Sequence, residues 1–146
     1  MARIFLERRD LDDEAQRLFD RLTMREDVAG ASAECAVALD VIETTTAIEV
    51  VVDLAGVAAD AVQVVVARGT LLIIGRKAPP HCAHHHDAAF HVAERTFGRF
   101  ARGIRLAGAF DVGRAEATLR GGELRVTLPR IEERRGQERR IPVRTD

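Results

Sequence analysis

Five metal-binding side chains fall within six residues of this chain: His81, Cys82, His84, His85 and His86, with His91 shortly after. Imidazole and thiolate are good ligands for zinc, copper or nickel, and a short segment this rich in them can wrap one ion or bridge two loops. No CxxC or Cys2His2 spacing orders them, so a solvated loop that takes up metal only adventitiously is the competing reading. Cys82 with a neighbouring histidine also has the ingredients of a thiol hydrolase. Adjacent residues in a loop led by Pro79-Pro80, however, provide no scaffold to fix nucleophile, base and oxyanion donors together.

Elsewhere the missing residues narrow the chemistry. The chain has one serine (Ser32), one lysine (Lys77), and no tryptophan or tyrosine. GxSxG cannot be written, Lys77 follows Arg76 rather than glycine, and GxGxxG is absent, which removes a nucleophile elbow, a P-loop and a dinucleotide fingerprint. The chain is expected to be no enzyme and to carry no cofactor. With 22 Lys+Arg against 23 Asp+Glu the formal charge is −1, so nothing pulls the whole molecule toward nucleic acid or anionic lipid. Cys35 and Cys82 form no disulfide framework, and no stretch of about 18 apolar residues occurs. The expectation is a soluble cytoplasmic protein.

The elements that must carry these residues follow from periodicity. At 146 residues the chain can bury a core as one ordinary domain. Between Asp10 and Met24, Leu11, Ala15, Leu18 and Leu22 recur at helical spacing, with Asp10 as a cap and Asp12, Asp13 and Glu14 in the first turn. From Val37 the period shortens to two, with glycine turns every eight to twelve residues. Strands are expected over Val37–Ile42, Ala47–Leu54, Ala61–Ala67, Thr70–Ile74, His91–Thr96, Arg99–Leu106, Arg114–Leu119 and Glu123–Leu128, mostly joined as hairpins, with the long loop Ala78–Phe90 between the fourth and fifth. No segment has the length and period of a crossover helix, so the class is all-β and antiparallel. The divisions expected are an arm over 1–36, a sandwich over 37–130 and a tail over 131–146. That tail is too charged to order itself, yet it holds the apolar triplet Ile141-Pro142-Val143.

Four pieces of this pattern together resemble the α-crystallin domain of the small heat-shock proteins. Asp40-Val41-Ile42-Glu43-Thr44 with Asp53-Leu54-Ala55-Gly56-Val57 is similar to the family's opening, Ala55 replacing a usual proline. Leu71-Leu72-Ile73-Ile74-Gly75-Arg76 and Val92-Ala93-Glu94-Arg95-Thr96-Phe97-Gly98-Arg99-Phe100 match two further strands. Ala117 to Pro129 resembles the family signature, with Glu123 where valine or isoleucine is usual, and Ile141-Pro142-Val143 matches the C-terminal I-x-I/V anchor.

The resemblance implies an immunoglobulin-like antiparallel β-sandwich with a helical N-terminal arm and an extended C-terminal tail. It implies an ATP-independent holdase that keeps unfolding client proteins soluble as an oligomer of dimers. Client-binding candidates are Phe5, Leu18, Phe19 and Leu22 of the arm, the alternative being a helix docked on its own sandwich. Ile141 and Val143 would plug a groove of a neighbouring subunit between Ala61–Ala67 and Arg99–Leu106, with Val62, Val64, Val66, Phe100 and Ile104 as its lining. Loop exchange through Ala78–Phe90 would build the dimer, and Glu94, Arg95 and Arg102 match positions of dimer-stabilising charges. The competing functions are a non-enzymatic co-chaperone-like interaction module and a metal-buffering protein centred on residues 81–86.

Overall fold

A computed structural model describes the side chains of residues 35–80 and 86–131, together with the backbone of residues 5–6. Eight antiparallel strands form two four-stranded sheets. They are β1 (Phe5–Leu6), β2 (Leu39–Glu43), β3 (Ala47–Asp53), β4 (Val62–Ala67), β5 (Thr70–Lys77), β6 (Gly98–Arg105), β7 (Glu116–Arg120) and β8 (Glu123–Pro129). One sheet has the order β1-β6-β5-β4 and the other β2-β3-β8-β7. This is the expected all-β sandwich.

Alternation places the core. On β3 the side chains of Ile48, Val50 and Val52 point inward and pair directly with Leu128, Val126 and Leu124 of β8. Facing them are Leu71 and Ile73 of β5 with Phe100 and Ile104 of β6, and Cys35, Val37 and Leu54 close the ends. These residues are almost fully dry, each large one contributing about 1.5–3 kcal/mol of burial. The outer face of β3 and β8 is polar instead, with Arg125 bonded to Glu49 at 2.7 Å and to Glu123 at 3.2 Å. Such exposed pairs add less than about 1 kcal/mol each.

Turn chemistry fixes the register. Arg68 and Gly69 lie at φ 49° and 74° between β4 and β5, and Gly121 and Gly122 at φ 60° and 78° between β7 and β8, the two-residue geometry that suits twisted hairpins. The β2–β3 turn is held by Thr44, whose Oγ1 accepts from the Ala47 N–H at 3.0 Å. Between the sheets, the Cys35 N–H donates to the Arg99 carbonyl at 2.7 Å and the chain then runs through Val37 into β2. Since this crossing joins the β6 side of one sheet to the β2 side of the other, β4 and β7 lie together along the opposite side.

Two departures from the sequence reading stand out. Residues His91–Thr96, expected as a strand, form none and are all exposed, Val92 to 73%. A strand needs a neighbour for its backbone groups, and among the described residues no strand lies beside this one. In addition, the arm begins with a strand, since β1 pairs with β6 through Phe5↔Ile104 and Leu6↔Gly103. The helix expected between Asp10 and Met24 lies outside the described residues.

Gly75 has little room for a side chain. A Cβ there would stand 2.5 Å from the Ala61 carbonyl oxygen and 2.6 Å from Phe100 Cζ. The missing side chain is what lets the Phe100 ring lie across β5. Gly75→Ala should lower the unfolding free energy by about 1–3 kcal/mol through overpacking, measured by urea denaturation followed by circular dichroism. An unchanged midpoint would show that this corner repacks freely.

Candidate functional site

The side of the sandwich bearing β4 and β7 presents two sheet edges to a partner. Each is the last strand of its sheet, so among the described residues each keeps one row of unpaired backbone groups. Val62, Val64 and Val66 of β4 alternate inward and are half-buried against the core, as is Leu119 of β7. Two unprotected edges with apolar side chains between them make a groove suited to an extended peptide whose alternate side chains are apolar.

The sequence-derived lining of this groove is only partly brought together. Val62, Val64 and Val66 share the β4 edge, but β5 lies between β4 and β6, so Ala61–Ala67 and Arg99–Leu106 do not flank a common groove. Phe100, 3% exposed, and Ile104, fully buried, are core residues closed to an incoming side chain. The alternation was read correctly, but their strand is an interior one. Leu119 is the lining residue that sequence reasoning missed. Its signal was its place three residues before Gly122 on a hairpin that ends a sheet.

A second cluster lies at the far end of β5. Arg95 stacks over the Phe97 ring at 5.0 Å and Lys77 lies over it at 5.8 Å, both beside Gly56 of the Leu54–Val57 turn. Cation–π contact of this kind at a wet surface contributes about 0.5–1 kcal/mol. Glu94 is exposed and has no ion-pair partner among the described residues. Arg102 is engaged inside its own chain, Nη1 donating to the Val37 carbonyl at 2.7 Å. Close by, the buried Cys35 thiol lies 3.5 Å from Thr96 Oγ1 and 3.6 Å from the Thr96 carbonyl oxygen. These contacts tie the crossing segment to the residues that lead into β6.

The remaining sequence candidates fall elsewhere. Phe5 belongs to β1, of which the backbone alone is described, while Leu18, Phe19, Leu22, Ile141 and Val143 lie outside the described residues. The same holds for His81, Cys82, His84 and His85; His86 is exposed. Among the described residues no group of three His, Cys, Asp or Glu gathers as a metal site, and no helix is long and apolar enough to cross a membrane. A polar cleft of about 950 Å³ at the end of the second sheet is lined by Thr45, Thr46, Asp111, Arg114 and Arg130. Within it Arg130 is already paired with Glu43 and stacked on Phe110.

Comparison with known proteins agrees with this geometry. The model of the Hsp20/alpha crystallin family matches residues 40–144. The chain is 37% identical over 123 residues to the 21.9 kDa heat shock protein of Oryza sativa subsp. japonica, a match covering 77% of this chain and 60% of that protein. It is 34% identical over 106 residues to the peroxisomal 16.0 kDa heat shock protein of the same plant, covering 68% of this chain and 72% of the relative. Among solved structures, heat shock protein 16.0 from Schizosaccharomyces pombe superposes with a TM-score of 0.64 at 31% identity, over 75% of this chain and 98% of that one.

The Arg102 contact makes a distinguishable prediction. Arg102→Ala should cost about 1–2 kcal/mol of fold stability by leaving the Val37 carbonyl unpaired, and the shift in urea midpoint should be the same at low and high protein concentration. A shift that grows on dilution would assign Arg102 to a contact between subunits instead.

Proposed function

The chain belongs to the Hsp20/alpha crystallin family, and from that premise we propose that it is an ATP-independent holdase, keeping unfolding proteins soluble as an oligomer built from dimers. The observation that carries the reading is that the family match spans residues 40–144, bounds that take in the sandwich from the first strand of the second sheet and the Ile-Pro-Val triplet. Binding without nucleotide is consistent with a sequence that has no P-loop and no dinucleotide fingerprint.

Holding a client needs apolar surface that the fold can release. The arm supplies Phe5, Leu18, Phe19 and Leu22 for this purpose. Assembly uses the tail. Ile141 and Val143 lie two residues apart, so in an extended segment they point to one side, and Pro142 stiffens the backbone between them. The apolar groove along β4 and β7, with Val62, Val64, Val66 and Leu119, is their receptor on a neighbouring subunit. Dimers form by exchange of the Ala78–Phe90 loop, with Glu94 and Arg95 among the contacts. The exposed, unpaired residues 91–96 and the open edge of β2 support this use of the loop. The cytoplasm is the proposed compartment.

Holdase activity is tested with a heat-labile client, such as a dehydrogenase, heated with excess protein and no ATP. Light scattering should stay low, and Phe5→Ser with Phe19→Ser should weaken the protection while the sandwich keeps its circular dichroism. Equal scattering with and without the protein, across several clients, would reject the reading.

Assembly is tested separately. Burying Ile141 and Val143 is worth roughly 3–5 kcal/mol before the tail is ordered, so single links are weak and many add by avidity. Ile141→Gly with Val143→Gly should shift large assemblies to dimers in size-exclusion chromatography with light scattering. An unchanged oligomer would leave the triplet without a role.

A further inference from the structure

Strand β5 is dry on both faces. Leu71 and Ile73 point into the inter-sheet core, whereas Leu72 and Ile74 point the other way and stand outside that core. Yet Leu72 is fully buried, Ile74 is 4% exposed, and Thr70 on the same face is 2% exposed. Register completes the face. Leu72 lies between Val65 of β4 and Gly103 of β6, and Ile74 lies between Gln63 and Ala101. A ridge of two large apolar side chains is thus flanked by a shallow strip of Ala101 and the buried Gly103. The face ends in cations: Arg105 opposite Thr70 at one end, and Arg76 opposite Arg99 at the other.

We propose that this outer face of the β1-β6-β5-β4 sheet is a docking surface whose occupant is the chain's own arm, seated through the apolar stripe Leu11, Ala15, Leu18 and Leu22.

Where the arm leaves and returns argues for it. Leu6 pairs with Gly103, the neighbour of Leu72, so residue 7 departs from the rim of this face. Continuing in the antiparallel register would bring the arm alongside Arg99, but there the edge of β6 is already taken by the Cys35 N–H, bonded to the Arg99 carbonyl at 2.7 Å. The arm must therefore leave the plane of the sheet, and the inner side is closed by Val37 and Phe100. As a helix, Leu11 to Leu22 spans about 16 Å, comparable to the roughly 20 Å from Thr70 to Arg76 along the strand.

Charge agrees as well. Asp10, Asp12, Asp13 and Glu14 surround the first residue of the stripe, Leu11, and complement the arginines at one end of the face. Other segments suit the face less well. Residues 81–85 are short and polar, and residue 132 departs from the other sheet, where the Ile131 N–H bonds the Ala109 carbonyl at 3.0 Å.

The test uses the full chain without client, so it reads the docked face independently of holdase activity. In a Cys82→Ser background, a thiol introduced by Ala101→Cys reports the face, while the buried Cys35 reports the fold. The introduced thiol should react slowly with a maleimide, and Leu18→Asp with Leu22→Asp should speed it by about tenfold or more while Cys35 stays protected. A thiol that reacts fast from the start, or equally slowly in both proteins, overturns the proposal.

A second measurement needs no disruptive change. Ala15→Cys combined with Ala101→Cys, treated with a short bismaleimide in a mixture of nitrogen-14 and nitrogen-15 chains, should give links within one chain. Links only between differently labelled chains would give the face to a second copy, and no link between these two sites would give it to another segment; either result overturns the assignment.

Discussion

Burial of β5 on both faces is the constraint around which the rest of this molecule is arranged. A strand that is dry on one side needs one partner layer; Leu71-Leu72-Ile73-Ile74 needs two. The second sheet supplies the first layer through Ile48, Val50, Val52, Leu124, Val126 and Leu128. Gly75 and Phe100 belong to the same solution, since the ring crosses β5 at the one position where no Cβ stands in its way. The other face explains why β6 carries Ala101 and Gly103 beside Ile74 and Leu72 rather than the charged residues found on the outside of β3 and β8. A solvated sheet face would be selected for charge; this one has it only at its ends.

Edges are the second consequence of building a domain from two open sheets. One of the four edges is occupied by the chain itself: β1 and Cys35 cover β6 between them, leaving β2, β4 and β7 free among the described residues. Natural edges are commonly blunted by inward charges or a lysine, yet β4 offers Val62, Val64 and Val66 with only Gln63 among its exposed positions. Such an edge is an aggregation risk unless something occupies it. An Ile-Pro-Val segment would suit this place because proline cannot donate to a ladder, so its binding would rest on side chains filling a groove rather than on strand addition, and would not propagate into an open-ended sheet.

Most of the sandwich was legible because period-two alternation and glycine turns are local. β3, β4, β6, β7 and β8 fall within two residues of their expected bounds at each end, and the positive φ values at Gly69, Gly121 and Gly122 follow from the turn dipeptides. Groove composition was not legible. Alternation says which side of a strand faces inward, but not whether that strand is interior or at an edge, and Phe100 and Ile104 belong to an interior strand. β1 gave no signal either, since two residues carry no period. The unbroken apolar run in β5 did signal burial on both faces, a pattern usually associated with sheets covered on both sides.

The segment from Phe90 to Thr96 shows how a correct pattern can have no place within a single chain. Phe90 and Val92 stand two apart as on one face of a strand, yet Phe90 is 58% exposed and Val92 73%, and among the described residues no strand lies beside them. Exposed apolar side chains on a segment of strand-like sequence are costly in an isolated molecule, and the cost falls only if another backbone comes alongside. Loop exchange between two copies would supply that backbone at an open edge without altering either core. Under that reading the missing strand is a property of the dimer: the alternation encodes a pairing between chains, which a single sandwich has no means to complete.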